Sequence, residues 1–305
     1  MAPWLNHPAY LRTREKLVAQ LKGRLGPFRH LPPIAFLCGG RGSSRRELLR
    51  DYLARHVPDV RFFNAEDVWA HISHLGHLNA LQMENQLARL ADLVLVIVES
   101  EGTFTELGAF AASAELREKL LPVLDRKYRA ELSFINTGPV KWVDDDSRFR
   151  PTIFGDFDAF LRNVGEIEER IRRIPKTGRP SAGEAGRKLH ERPKELLYLL
   201  CEILAITGPA SREQCADILT CLLGAKPAID VPSLLGLAVT LEFAEVIGGP
   251  GDSVYVPASG VARSEATRRW RLVDLALERA RFISGMQKVS GHWASGPSQP
   301  GRLSA

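Results

Sequence analysis

The apolar run Leu93–Val98 constrains this chain more than any other segment, because all of its residues are aliphatic and branched. A run of that length and composition suits a strand buried on both faces, the habit of parallel sheets covered by helices. Glu99, Ser100 and Glu101 follow it, then a turn at Gly102 and a stretch of helix formers from 104 to 119. A strand that ends in a small-residue loop and enters a helix is where open α/β sheets hold ligands. Glu106 is expected in the first turn of that helix. The helix dipole there favours an ionised carboxylate, the state a nucleophile needs.

The segments around this one repeat the alternation. Residues 34–38 read as a strand closed by Gly39-Gly40, and 43–56 as a helix capped by Ser43 or Ser44, with Glu47 placed to complete a capping box with Ser44. A second strand is expected at 60–64, a helix at 78–90, and the third strand at 93–98. A helix at 105–120 and a fourth strand at 121–125 complete the pattern. This order predicts an α/β fold with a doubly wound parallel sheet. After Asp125 the pattern loosens into a loop containing Ser133-Phe134-Ile135-Asn136-Thr137-Gly138-Pro139, and a charged helix over 157–174 closes the first domain.

The second half changes character. Helices are expected at 193–206, at 211–222 with Ser211 as N-cap, and at 231–243 with Pro232 at its start. Two short strands at 244–247 and 253–256 flank a Gly-Gly-Pro-Gly-Asp turn. Three short helices and a hairpin are the layout of a winged helix-turn-helix. The helix at 231–243 is a poor reader of bases: it offers Ser233 and Thr240 but no Arg, Lys, Asn or Gln. The expected organisation is therefore an N-terminal helical segment at 1–30, a catalytic α/β domain at 31–174, a linker at 175–192, a smaller, mainly helical winged-helix-like domain at 193–262, and a basic helical tail at 263–305.

A chain of 305 residues with 45% apolar content can bury the cores of two domains. Its apolar runs are too short to span a bilayer, and the N-terminus has no apolar signal region, so no membrane association is expected. Cys38, Cys201, Cys215 and Cys221 form no CxxC pair, which fits a reduced, cytoplasmic thiol pool. The formal charge of +5 is uneven: from 263 to 305 there are eight Lys and Arg against three acids. Such a tail can hold a polyanion or simply form a solvated helix face.

Chemistry concentrates at the ends of the expected strands. Cleaving a glycosidic C–N bond needs a carboxylate beneath the anomeric carbon, and Glu106, with Gly108 two residues on allowing close approach, is the candidate. Cys38-Gly39-Gly40 follows the first strand, where two glycines let a ligand meet backbone N–H groups. Neither GxGxxG nor GxxxxGKS is present. Cys38 has no activating base nearby in sequence and reads as a buried thiol. Glu66 and Asp67 follow the second strand and suit either ribose hydroxyls or helix capping. Glu84 and Asn85 lie on the next helix, facing the pocket. His71, His74 and His77 lack the spacing of a paired metal site and read as a polar rim, so no metal is expected.

Leu37-Cys38-Gly39-Gly40, Glu66-Asp67, the segment from Gly102 to Phe110 and the 133–139 string together resemble the effector proteins of type II retrons. In these a nucleoside 2-deoxyribosyltransferase-like domain is joined to a winged-helix-like DNA-binding domain. The resemblance spans nearly the whole chain. It implies an anti-phage toxin controlled by the retron reverse transcriptase and its msDNA and msrRNA, with an N-glycosidase domain acting on NAD as substrate and no separate cofactor. It also implies nucleic-acid contact through the C-terminal basic region and assembly into homo-oligomers or larger complexes. The transferase pattern D-x-G-x-x-x-E-x-G falls on Gly102, Glu106 and Gly108, making Glu106 the nucleophile, while its Asp position holds Ser100. Gly39, Gly40, Gly102 and Thr103 become nucleotide contacts, and Asn136 lies in the pocket-closing region. Two alternatives stand beside this reading: a metabolic nucleoside 2-deoxyribosyltransferase, and a nucleotide-sensing winged-helix DNA-binding regulator.

Overall fold

A computed structural model describes residues 3–23, 31–72, 79–175, 188–249, 253–258 and 275–289. The chain divides into two compact units, Pro32–Arg179 and a second made of Met1–Leu31 with Pro180–Ala305. His74, His77, most of the 175–192 segment and much of the 263–305 tail lie outside the described residues.

The first unit is an α/β layer around a five-stranded parallel sheet. Its strands are β1 (Ile34–Cys38), β2 (Arg61–Phe63), β3 (Leu93–Val98), β4 (Leu120–Asp125) and β5 (Ile153–Gly155), in spatial order β2-β1-β3-β4-β5. β1 and β3 are buried at every position, as their continuous apolar sequence requires. Alternate residues serve opposite faces. Ala35, Leu37, Leu93, Leu95 and Ile97 join Leu49 and Leu53 of one helix and Val164, Ile167 and Ile171 of another in a single core. On the other face Phe36 stacks on Phe63 and meets Phe110 edge-on. Helices therefore cover both faces.

Among the described residues the helices of this unit are α2 (Ser44–His56), α3 (Ala65–Ile72), α4 (Ala80–Leu90), α5 (Glu101–Ala112), α6 (Ala114–Arg117), α7 (Lys141–Asp146) and α8 (Val164–Ile171), α1 (Pro8–Lys22) belonging to the second unit. Several differ from expectation. α2 is capped by Ser43, which accepts from Arg46 N–H, while Glu47 pairs with Arg50 rather than closing a box. The helix expected to run to residue 120 stops at Ala112; Ser113 accepts no cap bond and restarts the single turn of α6. The 133–139 string is helical, not a loop: it winds through one widened turn at Asn136–Val140 into α7. β5 carries no strand signature in sequence and exists because it pairs with β4.

The second unit contains α1 (Pro8–Lys22), α9 (Pro193–Thr207), β6 (Ala210–Ser211), α10 (Arg212–Leu223), α11 (Val231–Thr240), β7 (Ala244–Ile247), β8 (Val254–Pro257) and α12 (Leu275–Met286). The strands form an antiparallel sheet in order β6-β8-β7. α9 is its central rod, buried along almost its whole length. α1 packs on α10 and α12, and its Arg14 and Tyr10 both donate to the Asp217 carboxylate of α10. α1 and α12 approach so closely that a Cβ on Gly285 would clash with the Thr13 side chain. Among the described residues no helix is long and apolar enough to cross a membrane.

Candidate active site

The strand order reverses between β1 and β3, and the crevice beyond their carboxyl ends is the ligand position of such sheets. Cys38, Gly39 and Gly40 enter it from β1, and Glu99 and Ser100 from β3. Ser100 caps α5: its Oγ accepts from Thr103 N–H, and Thr103 Oγ1 accepts from Ser100 N–H at 2.9 Å. The Thr103 hydroxyl also accepts from Glu99 N–H and donates to Ser100 carbonyl at 2.8 Å. It is buried and committed to this cap.

The cap corrects two expectations. Gly102 does not turn the chain but sits inside the first turn of α5. Glu106 is consequently in the second turn, past the strongest influence of the terminal dipole. Its carboxyl is also not held ionised. Burial foremost, then the charges of Glu84 and Glu66, push it up to about 8, with Arg46 opposing. Glu106 Oε2 is buried and has no hydrogen-bond partner.

Four helices supply this cluster: α2 gives Arg46, α3 Glu66, α4 Glu84 and α5 Glu106. Arg46, only 6% exposed in its side chain, donates from Nη1 to both Glu66 oxygens, at 2.8 and 2.9 Å, and to Gly39 carbonyl at 3.3 Å. It thus ties the glycine loop to the carboxyl cluster. Glu84 is raised by burial and by Glu66. The Cys38 thiol is raised well above its ordinary range by burial and then by Glu106, Glu84 and Glu66, so it stays protonated.

The opposite edge of the crevice is already satisfied. Gly40 N–H donates to Glu99 Oε1 at 3.1 Å, and Arg45 Nη1 donates to Glu99 Oε2 at 2.8 Å. Arg45 is anchored in turn on Phe157, through Nε to its carbonyl and through its guanidinium over the ring. A carboxylate therefore occupies the N–H group that a phosphate would seek at this loop.

The remaining sequence candidates are placed as follows. Asp67 accepts from Arg50 and from Asn64, a bracing role at the start of α3. Asn136 donates its amide to the Tyr128 and Glu131 carbonyls at 2.7 and 2.8 Å, holding the loop before it, while its Oδ1 is buried and unpartnered. The widened turn it begins packs against α5. The structure thus gathers Cys38, Glu66, Glu84 and Glu106 electrostatically, and Gly39, Gly40 and Ser100 beside Glu99. Among the described residues no group of His, Cys, Asp and Glu could hold a metal ion.

Sequence reasoning missed Arg45, Arg46 and Glu99. One signal was available: two arginines in the first turn of α2 face the unfavourable end of the helix dipole, which is tolerable when carboxylates await them.

The family described as STM3845 retron effector protein matches residues 42–245, well over half of the chain. The chain belongs to this retron effector family. It is 28% identical over 244 residues to an Escherichia coli retron Ec73 protein, covering 73% of this chain and 77% of the relative. It is 41% identical over 110 residues to an Escherichia coli retron Ec86 protein, covering 35% and 36% respectively. The names of both relatives make them candidate ribosyltransferase/DNA-binding proteins.

Proposed function

We propose that the α/β unit is a nucleoside deoxyribosyltransferase-like N-glycosidase that hydrolyses the nicotinamide–ribose bond of NAD, with Glu106 as nucleophile, inside a retron defence system. The observation that carries this reading is the buried, unpartnered Glu106 Oε2 among Glu66 and Glu84 at the β1–β3 crevice. A carboxyl kept protonated by its neighbours is an unproductive nucleophile until a cation arrives. The pyridinium charge of NAD would stabilise the ionised form and release the proton. Glu106 would then attack the anomeric carbon as the C–N bond breaks, the electron pair leaving on nicotinamide, which departs uncharged. Water would cleave the resulting ester at the same carbon, its proton passing to a neighbouring carboxylate, for which Glu84 stands in place on α4.

The second unit, with three helices leading into a hairpin, is read as a winged-helix-like module that docks on a partner containing nucleic acid, the reverse transcriptase with its msDNA. The relatives' names support both halves of this reading. They also favour ribosyl transfer to an acceptor base as a second possibility for the enzyme. Incubating purified protein with NAD, with and without free bases, and following nicotinamide by chromatography decides between them. Hydrolysis proceeds without an acceptor; transfer does not. Glu106→Ala is expected to reduce turnover by at least ~10³-fold, and wild-type turnover in that variant would remove Glu106 from the mechanism.

A further inference from the structure

The elements that read DNA in a winged helix are unsuited to it in this chain. α11 has no fully exposed residue. Its two hydroxyl side chains are committed within their own helix: Ser233 donates to Asp230, its cap, and Thr240 donates to Gly236 carbonyl. The hairpin segment from 244 to 257 contains no Lys or Arg and carries Glu245 and Asp252. Whatever holds nucleic acid must lie elsewhere in the unit.

A groove of about 810 Å³ runs between α1 and α12. Among the described residues its α1 wall carries Arg12, Lys16 and Gln20, spaced so that they share one helix face over the stretch from Ala9 to Gln20, about 17 Å of helix. Arg12 and Lys16 are exposed. The α12 wall adds Arg281 and Ser284. The acid in the groove, Glu278, is 3% exposed and accepts from Arg281 Nη1 at 2.8 Å, so it lies beneath the cations rather than beside them. Phe282 is buried, so among the described residues no aromatic face lines the groove on which a base could stack.

We infer that this groove, and not α11, is the nucleic-acid contact of the unit, and that it holds the phosphodiester backbone of DNA. The inference rests on the nucleic-acid reading of the second unit given above. Charge complementarity selects a polyanion, held through its phosphates.

The test is fluorescence anisotropy of the full chain with a labelled 20-residue oligodeoxythymidylate. The variant Arg12→Glu/Lys16→Glu is compared with Lys22→Glu/Lys226→Glu, which makes the same charge change outside the groove. The groove variant is expected to bind at least ~10-fold more weakly, with a salt dependence shallower by about 1.4 in log–log slope. The control is expected to stay within about twofold, since neither of its cations lines the groove. Both changes sit at exposed positions, and melting curves check that both variants fold. Equal weakening by the control, or no weakening by the groove variant, would overturn the groove assignment. Absence of binding by the wild type would instead overturn the nucleic-acid reading on which it stands.

Discussion

Glu99 and Glu106 stand on the same strand–helix segment and line two edges of one crevice, yet their surroundings are opposite. Glu99, 10% exposed in its side chain, receives a backbone N–H from Gly40 and a guanidinium from Arg45. Glu106 receives neither, and its buried Oε2 faces other carboxyls. A carboxylate with its donors in place braces a loop; one stripped of water and given no donor is raised in free energy when charged and gains most from a cationic ligand. The comparison separates structure from chemistry within a single turn of chain. It also explains why the glycine loop beside Glu99 is a poor phosphate cradle, whereas the helix-lined edge suits a positively charged glycoside.

The largest way to break that contrast is through pH. If Glu106 must be ionised to attack, kcat/KM for NAD should rise about tenfold per pH unit below about 8 and level off above it, since this parameter reports the free enzyme. The kcat limb should lie at lower pH, because bound cationic substrate favours the ionised form. A kcat/KM profile already flat from pH 6 would mean that Glu106 is not the ionising group. Stability has the opposite sense. The folded state holds the Glu106 proton more tightly than the unfolded chain, whose value is near 4.5, so this group's contribution is full below that pH and is lost as pH climbs to about 8. Glu106→Gln should therefore be more stable than wild type at pH 8, by about 4 kcal/mol, and nearly equal to it at pH 4.5, in urea titrations.

Arg46 sharpens the comparison from the other side, as the cation that opposes the raised Glu106 titration. Its removal in Arg46→Gln should move the kcat/KM limb to higher pH. It should also cost about 2 kcal/mol in urea unfolding, less than a fully buried pair because Glu66 is half-exposed and can rehydrate. An unmoved limb with lowered stability would make Arg46 a purely structural tie.

The retron resemblance, read from residues alone, agrees with the family match, and the α/β character of the first half was legible in the apolar runs of β1, β3 and β4. Such runs encode burial on both faces, a property local to the segment. β5 and β6 were not legible, because two or three residues become strand only through the neighbour they pair with. Glu106 stood out by its spacing from Gly102 and Gly108. Its protonation did not, since that arises first from burial and then from Glu84 and Glu66 on other helices. Arg45 and Glu99 left only a faint trace: arginines at the start of α2 hint at nearby carboxylates, but an ion pair between α2 and the end of β3 has no periodicity. Gly102 misled, because glycine after a strand usually turns the chain, and the reciprocal bonds between Ser100 and Thr103 override that tendency.

That capping box gives the smallest of the expected effects and a direct check on a substrate contact read from sequence. Thr103 Oγ1 already serves Glu99 N–H, Ser100 N–H and Ser100 carbonyl, so it has no remaining donor for a ligand. Thr103→Ala should cost about 1 kcal/mol, the usual worth of a cap, and Thr103→Ser should recover most of it. Because the box sets where α5 begins, and hence where Glu106 projects, the alanine variant should lower kcat a few-fold while leaving KM for NAD unchanged. A tenfold rise in KM without loss of stability would place the Thr103 hydroxyl on the substrate, and the distinction between bracing and reacting groups would then have to be redrawn around α5's first turn.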